Sequence, residues 1–146
     1  MGTKREVVVG VDVSKDQLDV FVRERHFVVA NDPEGFEKLV RRLDKYAVRL
    51  VAMEATGGYE AGLAVALSES GVPLAVVNPR QVRYFARAKG ALAKTDKIDA
   101  RMLAEFAVAM DIQPQVLPDA AQTYLRELVD RRRSVVWMLT DEKNRL

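Results

Sequence analysis

Four acids carry the chemistry open to this sequence. Asp12 closes the apolar run VVVGVD, Glu54 interrupts the apolar run LVAME, and Asp96 and Asp99 stand three residues apart in KTDKIDA. An acid at the end of a strongly apolar stretch is costly to bury unless its charge is used. Residues three apart share one face of a helix, so Asp96 and Asp99 would project together from a helix beginning at Asp96. Docked across the ends of strands carrying Asp12 and Glu54, that first turn would bring four carboxylates together. Such a group repels itself unless a cation lies within it. Hard divalent ions with oxygen ligands meet that need, Mg²⁺ most commonly, with Mn²⁺ able to replace it. Two such ions can activate an attacking oxygen and stabilise a leaving one in phosphoryl transfer. By spacing alone, Asp96 and Asp99 fit helix-start acids, favourable to the helix dipole, at least as well as they fit ligands. Asp12 could equally shape the turn at DVSKD.

Bases crowd the second pair of acids. Arg80, Arg83, Arg87, Lys89, Lys94, Lys97 and Arg101 fall in one short span of a chain whose formal net charge is only +2. Such clustering is the electrostatic footprint expected for nucleic acid. A solvated helix face accounts for the same pattern.

Composition excludes several other chemistries. With no cysteine, the chain has no disulfides, thiolate metal sites or cysteine nucleophiles. Its one histidine, His26, opens a strand and reads as structural, which argues against a histidine-rich zinc site. There is no apolar run of transmembrane length and no secretory signal, so no membrane partner is expected and the cytoplasm is the expected compartment. Gly57 and Gly58 before a helix could form a phosphate-binding turn, but no full P-loop or dinucleotide fingerprint accompanies them.

The elements that would position the acids follow from hydrophobic period. REVVVGVDVS reads as a buried strand, DQLDVFVRE as a half-exposed one and RHFVVAND as a third, together an antiparallel meander. Asp32 and Pro33 start a helix with the apolar stripe Phe36, Leu39, Val40 and Leu43. RLVAMEATGG is a strand, YEAGLAVALSESG a helix stopped at Gly71, and VPLAVVNP another strand. Right-handed crossovers make the two later strands parallel. The expected product is an α/β fold with a mixed five-stranded sheet in the order 3-2-1-4-5, the ribonuclease-H-like arrangement. RQVRYFARAKG follows as a helix with Arg80, Arg83 and Arg87 on one side. Thr95 is the expected cap of a helix from Asp96 to about Met110, with Ile98, Met102, Leu103 and Phe106 as its core stripe.

Residues 1–111 read as one domain. Residues 112–146 read as a linker and the start of a long helix capped by Asp119 and Gln122. Its stripe of Leu125, Leu128, Arg132, Val135, Leu139, Glu142 and Leu146 alternates three and four spacing, as in a coiled coil, and predicts a homodimer. The chain stops in mid-helix, which reads as the N-terminal piece of a longer protein.

The ordered set GVDVSK, EATGGY, NPRQVR and KTDKIDA, spread over Val7 to Ala107, resembles the N-terminal DEDD domain of bacterial insertion-sequence transposases of the one-hundred-and-ten family, to which the pilin-gene invertase also belongs. The resemblance implies a RuvC-like fold, with Asp12, Glu54, Asp96 and Asp99 as a Mg²⁺-binding tetrad. It also implies DNA recombination guided by a structured bridge RNA. Members of that family have a second domain with a catalytic serine. Ser14, Ser68, Ser70 and Ser134 match no part of that serine motif, so the fragment alone is expected to be inactive.

Two other classes compete. A non-catalytic module that binds nucleic acid and dimerises would explain the basic helix and the terminal stripe. One lobe of an actin-like phosphotransferase would explain GVDVSKDQLDV, though that fold needs two similar lobes.

Overall fold

The computed structural model describes residues 5–90 and 97–117, together with Val129. Its elements run β1 (Glu6–Val13), β2 (Gln17–Val22), β3 (Arg25–Ala30), α1 (Pro33–Leu43), β4 (Ala47–Glu54), α2 (Ala61–Glu69), β5 (Leu74–Val77), α3 (Pro79–Ala88) and α4 (Ala100–Ala109). They form one five-stranded sheet in the order β3-β2-β1-β4-β5, as the hydrophobic pattern predicts. β1–β2 and β2–β3 are antiparallel, and β1–β4 and β4–β5 are parallel.

Alternation along the strands assigns the two faces of the sheet. Val9, Val11, Leu18, Val20, Val51 and Met53 point to one face and pack with Leu39 of α1 and Leu63 and Leu67 of α2. The even-numbered residues of β1 and β4 point to the other. There Leu50, Ala52 and Ala75 pack with Ala107 of α4, and Val77 joins α3 and α4 residues in a further cluster. Asp12 and Glu54 share the parity of this second face.

α4 lies close on β1 because Gly10 has no side chain. A Cβ there would sit 1.8 Å from the Ala100 carbonyl oxygen and 2.9 Å from the Ala104 nitrogen. An isolated glycine in an apolar strand marks this kind of backbone approach.

Helix starts follow their caps. The Asp32 carboxylate accepts from the Gly35 N–H at 2.7 Å, with Pro33 in the first turn, as expected. α4 differs from expectation. It begins at Ala100, and Asp99 is its cap, with extended backbone (φ −105°, ψ 174°) and its carboxylate accepting the Met102 N–H at 2.8 Å. Aspartate caps by this bond better than it serves inside a turn. Ile98 and Leu103, one before the cap and four after it, lie in the same buried cluster and staple the helix entry. Thr95 and Asp96 lie outside the described residues.

After α4 the chain returns to the sheet edge. The Gln115 N–H donates to Leu74 O at 2.8 Å, and its side chain bonds the Val76 N–H (3.0 Å) and O (3.2 Å). One residue thus covers the open edge of β5, which would otherwise be free to pair with another strand. The expected coiled-coil stripe lies outside the described residues.

Candidate functional site

The site is built at the carboxyl ends of β1 and β4, on the face that α4 covers. The register pairs Gly10 with Ala52 and Val11 with Met53, so Asp12 stands beside Glu54 on neighbouring parallel strands. Both side chains point to the α4 face. Ala100 rests on Gly10, one β-repeat before Asp12, which brings the start of α4, and with it Asp99, to the same edge.

Asp12 is buried, at 8% exposure, the lone buried polar or charged side chain among the described residues. Lys97 Nζ lies 3.1 Å from its Oδ2. Among the described residues its Oδ1, which is buried, has no hydrogen-bond partner. A buried acceptor left unpaired costs about 1–3 kcal/mol, more when charged.

Glu54 is half-buried. Burial first, and the Asp12 carboxylate second, push its carboxyl above the usual carboxylate range, while Lys97 and then Arg83 pull it back and Glu60 adds a smaller push upward. The Asp12–Glu54 repulsion is what two carboxylates on neighbouring strands must feel.

The loop after Glu54 closes on an acid of its own. Glu60 Oε2 accepts from Thr56 Oγ1 (2.6 Å), Thr56 N (3.1 Å) and Gly58 N (3.1 Å). Burial alone would raise the Glu60 carboxyl, but these donors, led by the Thr56 hydroxyl, outweigh it and hold the group below its usual range. Gly57 and Gly58 both have positive φ, at 79° and 121°, which lets the loop wrap inward. The Thr56 and Gly58 N–H groups are therefore spent on Glu60 and unavailable to an external phosphate. Asn31 joins this loop to the β1–β2 turn by donating to Ser14 O (2.8 Å) and Tyr59 O (3.1 Å). Reading the sequence for acids passed over Glu60 as a loop-former and Asn31 as a tie, and only the glycine pair signalled an unusual backbone.

The bases divide into two groups. Lys89 pairs with Glu105 (3.7 Å), Arg101 with Glu105 (3.1 Å) and Glu24 (3.6 Å), and Lys97 with Asp12. Arg80 and Arg87 lie exposed on α3, and half-buried Arg83 lies on the same side of that helix, within electrostatic reach of Glu54. Exposed Tyr84 stands between them. α3 itself carries no acid, and the Asn78 side chain caps it through the Arg80 N–H at 2.8 Å. Lys94 and Asp96 lie outside the described residues. Among those residues no three acids or histidines already form a metal-holding group. Even so, the Asp12–Glu54 pair fits a divalent cation: it is oxygen-only, charged, and includes one buried oxygen without a partner among the described residues.

A mixed sheet of this order, with acids at its carboxyl edge beneath a helix, defines a ribonuclease-H-like fold of the RuvC kind. A structure of T. thermophilus RuvC in complex with Holliday junction substrate is similar, with a TM-score of 0.54 and 20% identity, covering 76% of this chain and 100% of that one. The family model of the DEDD transposases of the IS110 type, described as "Transposase", matches residues 9–146. The chain belongs to that transposase family. No curated protein matches the sequence. No helix among the described residues is long and apolar enough to cross a membrane.

Proposed function

We propose that this chain is the Mg²⁺-dependent DNA-cutting and rejoining domain of a transposase, with Asp12 and Glu54 as the fixed half of its metal site and Asp96 and Asp99 as the other half. One observation carries the reading: the buried Oδ1 of Asp12, without a partner among the described residues, beside a half-buried Glu54 that feels its charge. A fold gains nothing from such a pair unless a cation is to be held there.

A bound Mg²⁺ would neutralise the carboxylates and polarise a phosphoryl oxygen. The chain's own residues supply the rest. Asp12 and Glu54 are held by paired strands, so their oxygens are fixed before substrate arrives. Lys97 balances Asp12 in the meantime. Arg80, Arg83 and Arg87 on α3 hold the phosphate backbone, and Arg83 stands where the backbone would meet the acids. Asp99 caps α4 with its carboxylate, so it enters the site already oriented.

The nucleic acid on this face is DNA together with a structured bridge RNA. Residues 1–111 act as the catalytic domain, residues 112–146 supply a linker and the start of a helix, and the stripe from Leu125 to Leu146 joins two copies.

Crystals soaked in Mn²⁺ test the reading. The expected result is an anomalous peak against Asp12 and Glu54 that disappears in Asp12→Asn. A map without that peak, with both carboxylates ordered, overturns it.

A further inference from the structure

The other face of the sheet carries a second cationic site. At the end of the sheet away from Asp12, the β2–β3 turn meets the C-terminal end of α1 and encloses a cavity of about 250 Å³. Arg25, Arg42 and Lys45 line it, with Phe27 and Tyr46 as aromatic walls; His26 borders it as well, but its ring lies 5.0 Å from that of Phe21, which packs toward α4. Among the described residues no carboxylate lines it. Asp19 lies 3.8 Å from His26 Nδ1, and Asp44 separates Arg42 from Lys45 in sequence, but neither faces the cavity.

Three cations here are held on aromatic rings. The Arg42 guanidinium lies 3.9 Å from the Phe27 centroid, Lys45 Nζ 5.4 Å from that of Tyr46, and Arg23 5.9 Å from Tyr46. Stacking covers the face of a guanidinium and leaves its N–H edge directed outward, which suits it to oxyanions. The turn that brings Arg23 here is strained. Val22 pairs with Arg25, so Arg23 and Glu24 form a two-residue hairpin loop, with φ of 49° and 65°. Asn-Gly is the usual occupant of such a turn. Two charged residues are thus held in the left-handed region, which side-chain-bearing residues seldom adopt. In return, Arg23 reaches Tyr46 and Glu24 reaches Arg101 at 3.6 Å.

We propose that this pole is a second nucleic-acid contact, seating a backbone phosphate of a segment other than the one being cut. The cavity falls below the roughly 300–1,000 Å³ usual for small-molecule pockets, which fits one phosphate of a passing strand and not an enclosed ligand. It opens on the α1 face, opposite the carboxylates, so it anchors a flanking stretch. The inference rests on the reading of a polyanionic partner, and its test separates the two.

Binding of a labelled DNA duplex and a labelled hairpin RNA is measured by anisotropy across a salt series. Three proteins are compared: the wild-type chain, Arg25→Gln/Arg42→Gln/Lys45→Gln, and Arg83→Ala/Arg87→Ala. The expected result is that the triple variant weakens binding on order of tenfold to at least one of the two probes, and lowers the log–log salt slope by about 1 per phosphate lost. Unchanged affinity in the triple variant, with the α3 variant weakened, overturns the second contact and leaves the α3 face standing. Unchanged affinity in both removes both. If melting shows the triple variant unfolded, Arg25→Glu alone decides, because Arg25 is exposed at the start of β3. It weakens binding several-fold, or the second contact is lost.

Discussion

Lys97 Nζ lies 3.1 Å from Asp12 Oδ2, so an exposed lysine neutralises the most buried acid of the site. The lysine holds the place where a divalent cation would act. An ion pair with one exposed partner contributes up to about 1 kcal/mol, roughly a factor of five. Lys97→Gln is therefore expected to tighten Mn²⁺ binding by roughly that factor and to lower the melting temperature when no divalent ion is present. Asp12→Asn is expected to abolish binding. Calorimetric titration of the three proteins checks both, and equal Mn²⁺ affinity in wild type and Lys97→Gln would dismiss the competition.

Gly10 sets how close α4 comes to the site. A Cβ would fall 1.8 Å from Ala100 O and 2.9 Å from Ala104 N, and both are backbone atoms that can yield only if the helix moves. Gly10→Ala is expected to cost about 3 kcal/mol or more, at the upper end of overpacking effects. Urea denaturation measures the cost. A loss under about 0.5 kcal/mol, the usual range for an inconsequential surface change, would show that α4 is not fixed there.

Sheet order and helix stripes were legible because they rest on hydrophobic period, which the core enforces. Val9 and Val11 alternate with Gly10 and Asp12, and that parity alone assigns Asp12 a face. The start of α4 was not legible in detail. Both Thr95 and Asp99 can cap, and only the burial of Ile98 and Leu103 favours Asp99. The Arg23–Glu24 turn carries none of the residues that signal a tight hairpin, since its conformation is imposed by the strands on either side. Pairing of Arg101 with Glu24 crosses the fold, and no local spacing reveals it. The acids at strand ends could be read as a set. How far each base is committed to a partner could not.

Glu54 makes stability depend on pH. Burial first and Asp12 second raise its folded-state pKa above the ordinary 4.5. A carboxyl raised in this way binds its proton more tightly when folded. Its contribution is therefore most favourable in acid, below the unfolded value, and is lost as pH rises through the folded one. Glu54→Gln escapes that loss. It is expected to melt higher than wild type at pH 7 without divalent ions, with the difference closing as pH falls toward 4.5. Added Mg²⁺ should also narrow the gap, since it stabilises only the form with the carboxylate. Melting curves across pH decide the matter: a gap that widens in acid would contradict the burial of this group.

Asp99 has two roles to separate, the cap of α4 and an acid at the site edge. Its carboxylate accepts the Met102 N–H at 2.8 Å, and removing such a cap costs about 1 kcal/mol. Asp99→Ala should lose both the cap and the charge. Asp99→Ser should keep the cap, because a hydroxyl oxygen can accept the same bond, and lose only the charge. The expected pattern is near wild-type stability for Asp99→Ser, about 1 kcal/mol lower for Asp99→Ala, and weakened Mn²⁺ binding in both. Denaturation and metal titration on the same samples read the two roles independently. If Asp99→Ser binds Mn²⁺ as tightly as wild type, Asp99 is only a cap, and the second half of the metal site must come from elsewhere.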